Sequence, residues 1–229
     1  QNRFVWDVRC MASVRLPWDM TFQAEKSIIR KDKKEGGSLY ENCRHKLKHR
    51  ARPVGGKRIV IPNRVSISER PKEVDGVRFG DFEMDTIVGK GNCGAIVTLV
   101  EKQTNMLFMR KLKHGKNAKK LAETVKKILM PFKGKIKSIT TDNGMEFAAH
   151  EIISKSLGVP VYFADPYSSW QKGAIENANG LVRQYIPKSA AFSNFSQQKI
   201  TKFTAKINER PRKKLNFSTP KECFYKDIS

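Results

Sequence analysis

Between residues 79 and 112 the chain lays down three apolar stretches so closely spaced that they predict an antiparallel three-stranded meander. Phe82, Met84, Thr86 and Val88 alternate with Glu83, Asp85 and Ile87, the period of a strand with two differently used faces. Residues 95–100 form an unbroken apolar run, read as a buried strand, and residues 106–112 a third strand. Gly89, Gly91, Asn92 and Gly94, then Thr104 and Asn105, supply the turns. Helix and strand then alternate. Asn117 is placed to cap a helix carrying Leu121, Val125, Ile128 and Leu129, ended by Pro131. Ile136, Ser138, Ile139 and Thr140 form a strand leading to Asp142. A helix is predicted over 146–157, stopped by Gly158, then a strand over 159–164. A helix after Ser169 lines up Ile175, Ala178, Val182 and Ile186, and two more follow over 196–208 and 219–225. The expected class is α/β, a mixed sheet flanked by helices.

Charge narrows the partner. Of 229 residues, 45 are basic and 22 acidic, a formal charge of +23 that opposes compaction unless a polyanion is bound. Nucleic acid and an anionic membrane are the two candidates. No apolar run approaches the roughly 20 residues of a membrane span, and no signal-peptide pattern is visible. Nucleic acid, and no membrane, is therefore expected. Cys10, Cys43, Cys93 and Cys223 form no CxxC pair, which argues against zinc and for a reduced cytoplasmic protein with buried or half-buried thiols. His45 and His49 are spaced like half a zinc site but lack the cysteine half.

The pattern changes near residue 75. The expected organisation is a basic N-terminal extension over 1–74, the remnant of or linker from a DNA-binding region, and a catalytic core with C-terminal helices over 75–229. From Arg44 to Arg58, with Arg50 and Arg52 between, no acid interrupts the basic residues, and Pro53, Gly55 and Gly56 oppose a helix. This reads as an arm for phosphate contacts, or as a solvated linker. Trp6, Trp18 and Phe22 show no periodicity, a short helix fits residues 21–30, and residues 1–25 are expected to be disordered in isolation.

Three carboxylates carry the chemistry. Phosphoryl transfer on DNA needs an activated nucleophile and a stabilised leaving oxygen, and two divalent ions held by a few acids can provide both. Asp85 lies inside the first strand, where an unpaired charge is costly. Asp142 ends a strand before Asn143-Gly144, and Glu176 lies in a helix. Each has an ordinary alternative: an edge-strand acid, a turn-forming aspartate, a solvated helix residue.

With these residues the chain resembles the DDE transposases of insertion-sequence family 30. The resemblance runs through residues 80–89, 141–147 and 162–173, then Glu176-Asn177, residues 179–185 and 208–213, and Thr219-Pro220. It implies an RNase H-like, retroviral-integrase-like fold with Asp85, Asp142 and Glu176 as catalytic and metal-binding triad. It implies two magnesium ions, with manganese as a substitute, and no small-molecule cofactor. It implies cleavage at element ends and joining of 3′-hydroxyls to target DNA by homo-oligomers bound to terminal inverted repeats, in a bacterial cytoplasm at the nucleoid. Relatives in this family carry an N-terminal helix-turn-helix region that is largely missing here, although residues 28–33 onward resemble the family again, so truncation is expected. A catalytically silent DNA-binding remnant and an RNase H-like nuclease that cuts without joining are the alternatives.

Around the triad, Glu83 shares a strand face with Asp85 and is placed to assist a metal or pair with a base. Lys172 and Arg183, four before and seven after Glu176, are read as bracketing a phosphate, or as its ion-pair partners. Asn177 beside Glu176 is expected at DNA. Trp170 and Tyr167 are candidates to stack on an unpaired base, or core plugs. His150 is expected at the surface or behind the site. Lys199, Lys202, Lys206, Arg210, Arg212, Lys213 and Lys214 are read as tracking phosphates, or as a helix's polar face.

Overall fold

The computed structural model describes residues 28–42, 61–74, 77–113, 115–166 and 168–228. The expectations for residues 1–25, the basic arm with Arg50 and Arg52, His45, His49, Cys10, Cys43 and Tyr167 lie outside these. Two units are distinguished, Gln1–Lys57 and Arg58–Ser229. In the first, helical residues 28–34 (α1) precede a 3-10 turn, Leu39–Asn42, and the Asp32 carboxylate accepts from Leu39 N at 2.9 Å.

The second unit is built on one six-stranded sheet. Its strands are β1 (Val65–Ser66), β2 (Asp81–Val88), β3 (Ala95–Glu101), β4 (Leu107–Leu112), β5 (Ser138–Thr141) and β6 (Val161–Phe163). They lie in the order β1-β6-β5-β2-β3-β4. β2, β3 and β4 pair antiparallel, and β2, β5, β6 and β1 pair parallel. The predicted meander is there, and a parallel half extends it. Because Val65–Ser66 pairs with β6, the sheet takes in a segment that the charge pattern assigns to the extension.

Helices cover both faces. α2 (Ala118–Leu129) and α3 (His150–Leu157) pack with α6 (Pro220–Ile228) against Phe82, Met84, Val97 and Leu99. α4 (Gly173–Tyr185) and α5 (Gln197–Asn208) pack against Ile87, Ile96, Val100 and Leu107. β3 is buried along its whole length, which explains why its sequence, apolar but for Thr98 and Glu101, shows no polar–apolar alternation. Asn117 caps α2 by accepting from Lys120 N, and Gly158 ends α3 in the left-handed conformation. The stripe Ile175, Ala178, Val182 and Ile186 is buried as predicted.

Two local expectations need correction. The helix predicted from residue 146 begins at His150, because Met145–Phe147 forms a separate 3-10 turn that turns the Glu146 side chain inward. Lys172 does not lie on the Glu176 helix. It belongs to the 3-10 turn Ser169–Lys172 ahead of α4, which removes the shared helical face. No helix among the described residues is long and apolar enough to cross a membrane.

Candidate active site

The parallel pairing of β2 with β5 sets the site. Its register runs Asp81↔Ser138, Phe82↔Ile139 and Glu83↔Thr140. Continued two residues further, it places Asp85 level with Asp142 on neighbouring strand paths, about 4.8 Å apart. Asp85 Oδ1 accepts from Thr86 N at 2.8 Å and Oδ2 from Asn179 Nδ2 at 3.0 Å. Asp142 Oδ1 accepts from Gly144 N at 2.9 Å, and Oδ2 lies 3.4 Å from Lys172 Nζ. Lys172 is only 6% exposed, so its ammonium sits beside Asp142 largely out of solvent.

Burial lifts the Asp85 carboxyl above the usual aspartate range; the Lys172 ammonium opposes the lift, and the Asp142 charge adds to it. An acid whose charged form is disfavoured by burial and by a neighbouring carboxylate, with an ammonium beside them, forms a place where a cation is wanted. Their oxygens are the hard donors that magnesium and manganese take. This donor pair therefore fits a divalent metal ion.

Glu176 stands apart. It is exposed in the first turn of α4, and no hydrogen bond or ion pair involves it among the described residues. No group of three His, Cys, Asp or Glu side chains there is arranged to hold a metal. The fold thus brings together two of the three predicted acids and leaves the third on the helix beside them.

Glu83 is no part of this open set. Its Oε1 lies 3.3 Å from Lys102 Nζ, and its Oε2 accepts from Ile175 N at 2.8 Å, which docks the start of α4 on the sheet. Arg183 donates through Nη2 to the Val88 carbonyl at 3.2 Å, and burial lowers its pKa. Trp170 is 75% exposed, which removes the core-plug alternative, and Asn177 is also exposed. Arg212 is half-buried and donates to the Ile207 carbonyl, whereas Lys213 faces solvent. His150 is not at the surface: it packs edge-on to Phe163 with ring centroids 4.9 Å apart. Cys93 is exposed rather than buried, and Cys223 is half-buried; both are free.

Two residues of the site escaped the sequence reading. Asn179, one turn beyond Glu176, orients Asp85. Glu146 accepts from Thr86 Oγ1 at 2.8 Å and from Lys116 Nζ at 2.7 Å. The Glu146 signal was present in the stretch 141–147, but a helical reading pointed that side chain elsewhere.

Residues 72–169 match the family described as the integrase core domain. The transposase for insertion sequence element IS4351 of Bacteroides fragilis is 44% identical over 205 residues, covering 88% of this chain and 62% of that protein. Transposase InsI for insertion sequence element IS30A of Escherichia coli is 37% identical over 190 residues, covering 82% and 49%. The chain therefore spans between about half and three-fifths of the length of these two relatives. Among solved structures, the catalytic core domain of BIV integrase superposes with a TM-score of 0.51 at 19% identity, over 64% of this chain and 94% of that one. That likeness identifies the fold as RNase H-like.

Proposed function

We propose, from a chain that carries an integrase core domain and resembles the insertion-sequence family 30 transposases, that it is a DDE polynucleotidyl transferase acting on DNA. It cleaves at the ends of a mobile element and joins the 3′-hydroxyls to target DNA. The observation that supports this reading is that Asp85, within β2, feels the charge of Asp142, which directly follows the parallel neighbour β5, and of the buried Lys172 ammonium that pairs with Asp142.

Asp85, Asp142 and Glu176 are the metal-binding residues, for two magnesium ions with manganese as a substitute. Bound divalent ions supply activation of the attacking oxygen and stabilisation of the leaving one. The chain's own residues prepare for this. Thr86 N, Asn179 and Gly144 N orient the two aspartates, and Lys172 balances Asp142. In the DNA complex Lys172 turns its charge to a phosphate, and Glu176 closes toward the aspartates from the start of α4. Trp170, Asn177, Arg183, Arg212 and Lys213, with Arg50 and Arg52, bind DNA. The DNA partners are the terminal inverted repeats and the target, engaged by a homo-oligomer in the cytoplasm at the nucleoid.

The test offers the chain an uncut and a pre-cleaved DNA end with plasmid target and magnesium. Joined product is expected from the pre-cleaved end. Strand release without joining would point to a nuclease, and binding without either reaction to a silent DNA-binding protein.

A further inference from the structure

We propose that Glu146 is a positioning residue that braces Asp85 and Asp142 against each other across the seam between β2 and the turn after β5. The proposal rests on the transferase reading, since the brace has a task only where those two aspartates hold a cation.

Glu146 is 9% exposed; its Oε1 takes hydrogen bonds, and its Oε2 packs against the backbone of Gly144. Toward β2 it accepts from the Thr86 hydroxyl at 2.8 Å. Thr86 is the residue after Asp85, and its N–H donates to Asp85 Oδ1 at 2.8 Å. Thr86 is therefore held at two points, its amide on Asp85 and its hydroxyl on Glu146. Toward β5, Gly144 N donates to Asp142 Oδ1 at 2.9 Å. A Cβ at Gly144 would lie 2.8 Å from Glu146 Oε2 and 3.0 Å from Asp142 Oδ1. Both carboxylates thus pack on one bare backbone atom, and a side chain there would push them apart. One carboxylate thereby touches the supports of both aspartates.

A third acid this close to two others adds repulsion, so its burial needs compensation. Lys116 provides it, with Nζ 2.7 Å from Glu146 Oε1. Anchoring the turn does not require the acid, because Phe147 next to it is fully buried in the core. What Glu146 adds is a fixed relation between Thr86 and the 142–146 turn. Groups that orient metal-binding side chains typically change metal affinity by about 10–100-fold when removed.

The experiment uses the full chain on a pre-cleaved DNA end, comparing Glu146→Ala, Thr86→Val, Thr86→Ser and the Glu146→Ala/Thr86→Val double variant. Manganese binding is measured by calorimetry, the magnesium concentration for half-maximal joining by assay, and folding by Tm. Glu146→Ala and Thr86→Val are each expected to weaken manganese binding by about tenfold or more and to raise the magnesium requirement in step. The double variant should be no weaker than the worse single one, because both changes cut one link. Thr86→Ser keeps the hydroxyl and should stay close to the parent. Should Glu146→Ala not fold, the contrast of Thr86→Val with Thr86→Ser decides alone. Unchanged manganese affinity in the folded variants, or losses that multiply in the double variant, would overturn the brace. A parent that neither binds manganese nor joins DNA would instead overturn the transferase reading itself.

Discussion

Asp81, Glu83 and Glu101 are buried acids of the same two strands that frame Asp85, yet each is closed off by strong donors. Arg78 grips Asp81 with two bonds of 3.0 and 2.9 Å, and Ser138 adds a third at 2.6 Å. Glu101 accepts from Gly80 N and from both the amide and the hydroxyl of Thr104. Asp85 has only one backbone amide and one side-chain amide, neither of them charged, and a neighbouring aspartate instead of an arginine. Such a group holds a charge out of water, with a like charge beside it, and a cation relieves both. Its raised pKa means that the charged form is disfavoured by the fold. The resulting cost is absent below the ordinary aspartate range, about 4. It grows as pH rises through the folded-state pKa and is complete above it. Asp85→Asn is therefore expected to abolish joining while raising the metal-free Tm at neutral pH, on the order of a few degrees. The gain should vanish in acid. Scanning calorimetry across pH checks this; an unchanged or lower Tm at neutral pH would contradict a cost from the buried Asp85 charge.

At the scale of elements, α5 shows how a long-range contact secures the sheet that carries the site. β4 is an edge strand, and its exposed backbone is taken up by α5 side chains. Asn208, buried at 3%, accepts from Leu107 N at 2.9 Å and donates to Leu107 O at 2.8 Å. Gln197 accepts from Lys111 N at 2.9 Å. Asn208→Ala leaves two backbone groups without partners and is expected to cost about 1–3 kcal/mol. Urea unfolding measures the loss, and faster hydrogen exchange at the Leu107 amide locates it. Strands and helices with a clear period were legible in the sequence, and so were the Asn117 cap and the Gly158 stop. Asn208 was not, because its partner lies 101 residues away and leaves no local pattern. The start of α3 was misplaced for a related reason: periodicity cannot tell a helical Glu146 from one drawn inward by Thr86 and Lys116.

For the molecule as a whole, the charge of +23 and the carboxylates point the same way, and the fold sets Asp85 on the sheet, Asp142 directly after its strand β5 and Glu176 on α4. Two of the three acids could be placed from strand patterns, Asp85 within β2 and Asp142 directly after β5, and these strands pair parallel. The third depends on where a helix N-terminus sits, and that is set by Glu83, Lys102 and the Ser169–Lys172 turn. The central claim is that Asp142 belongs to a cation-dependent strand-transfer centre. Its most direct test is magnesium-dependent joining of a pre-cleaved DNA end to plasmid target by the parent chain and by Asp142→Asn. The two proteins are matched for folding and DNA binding. The account predicts joined product from the parent and a loss of at least about a thousandfold in the variant, the scale of a transition-state charge contribution of about 4 kcal/mol. Equal joining by both proteins would contradict it.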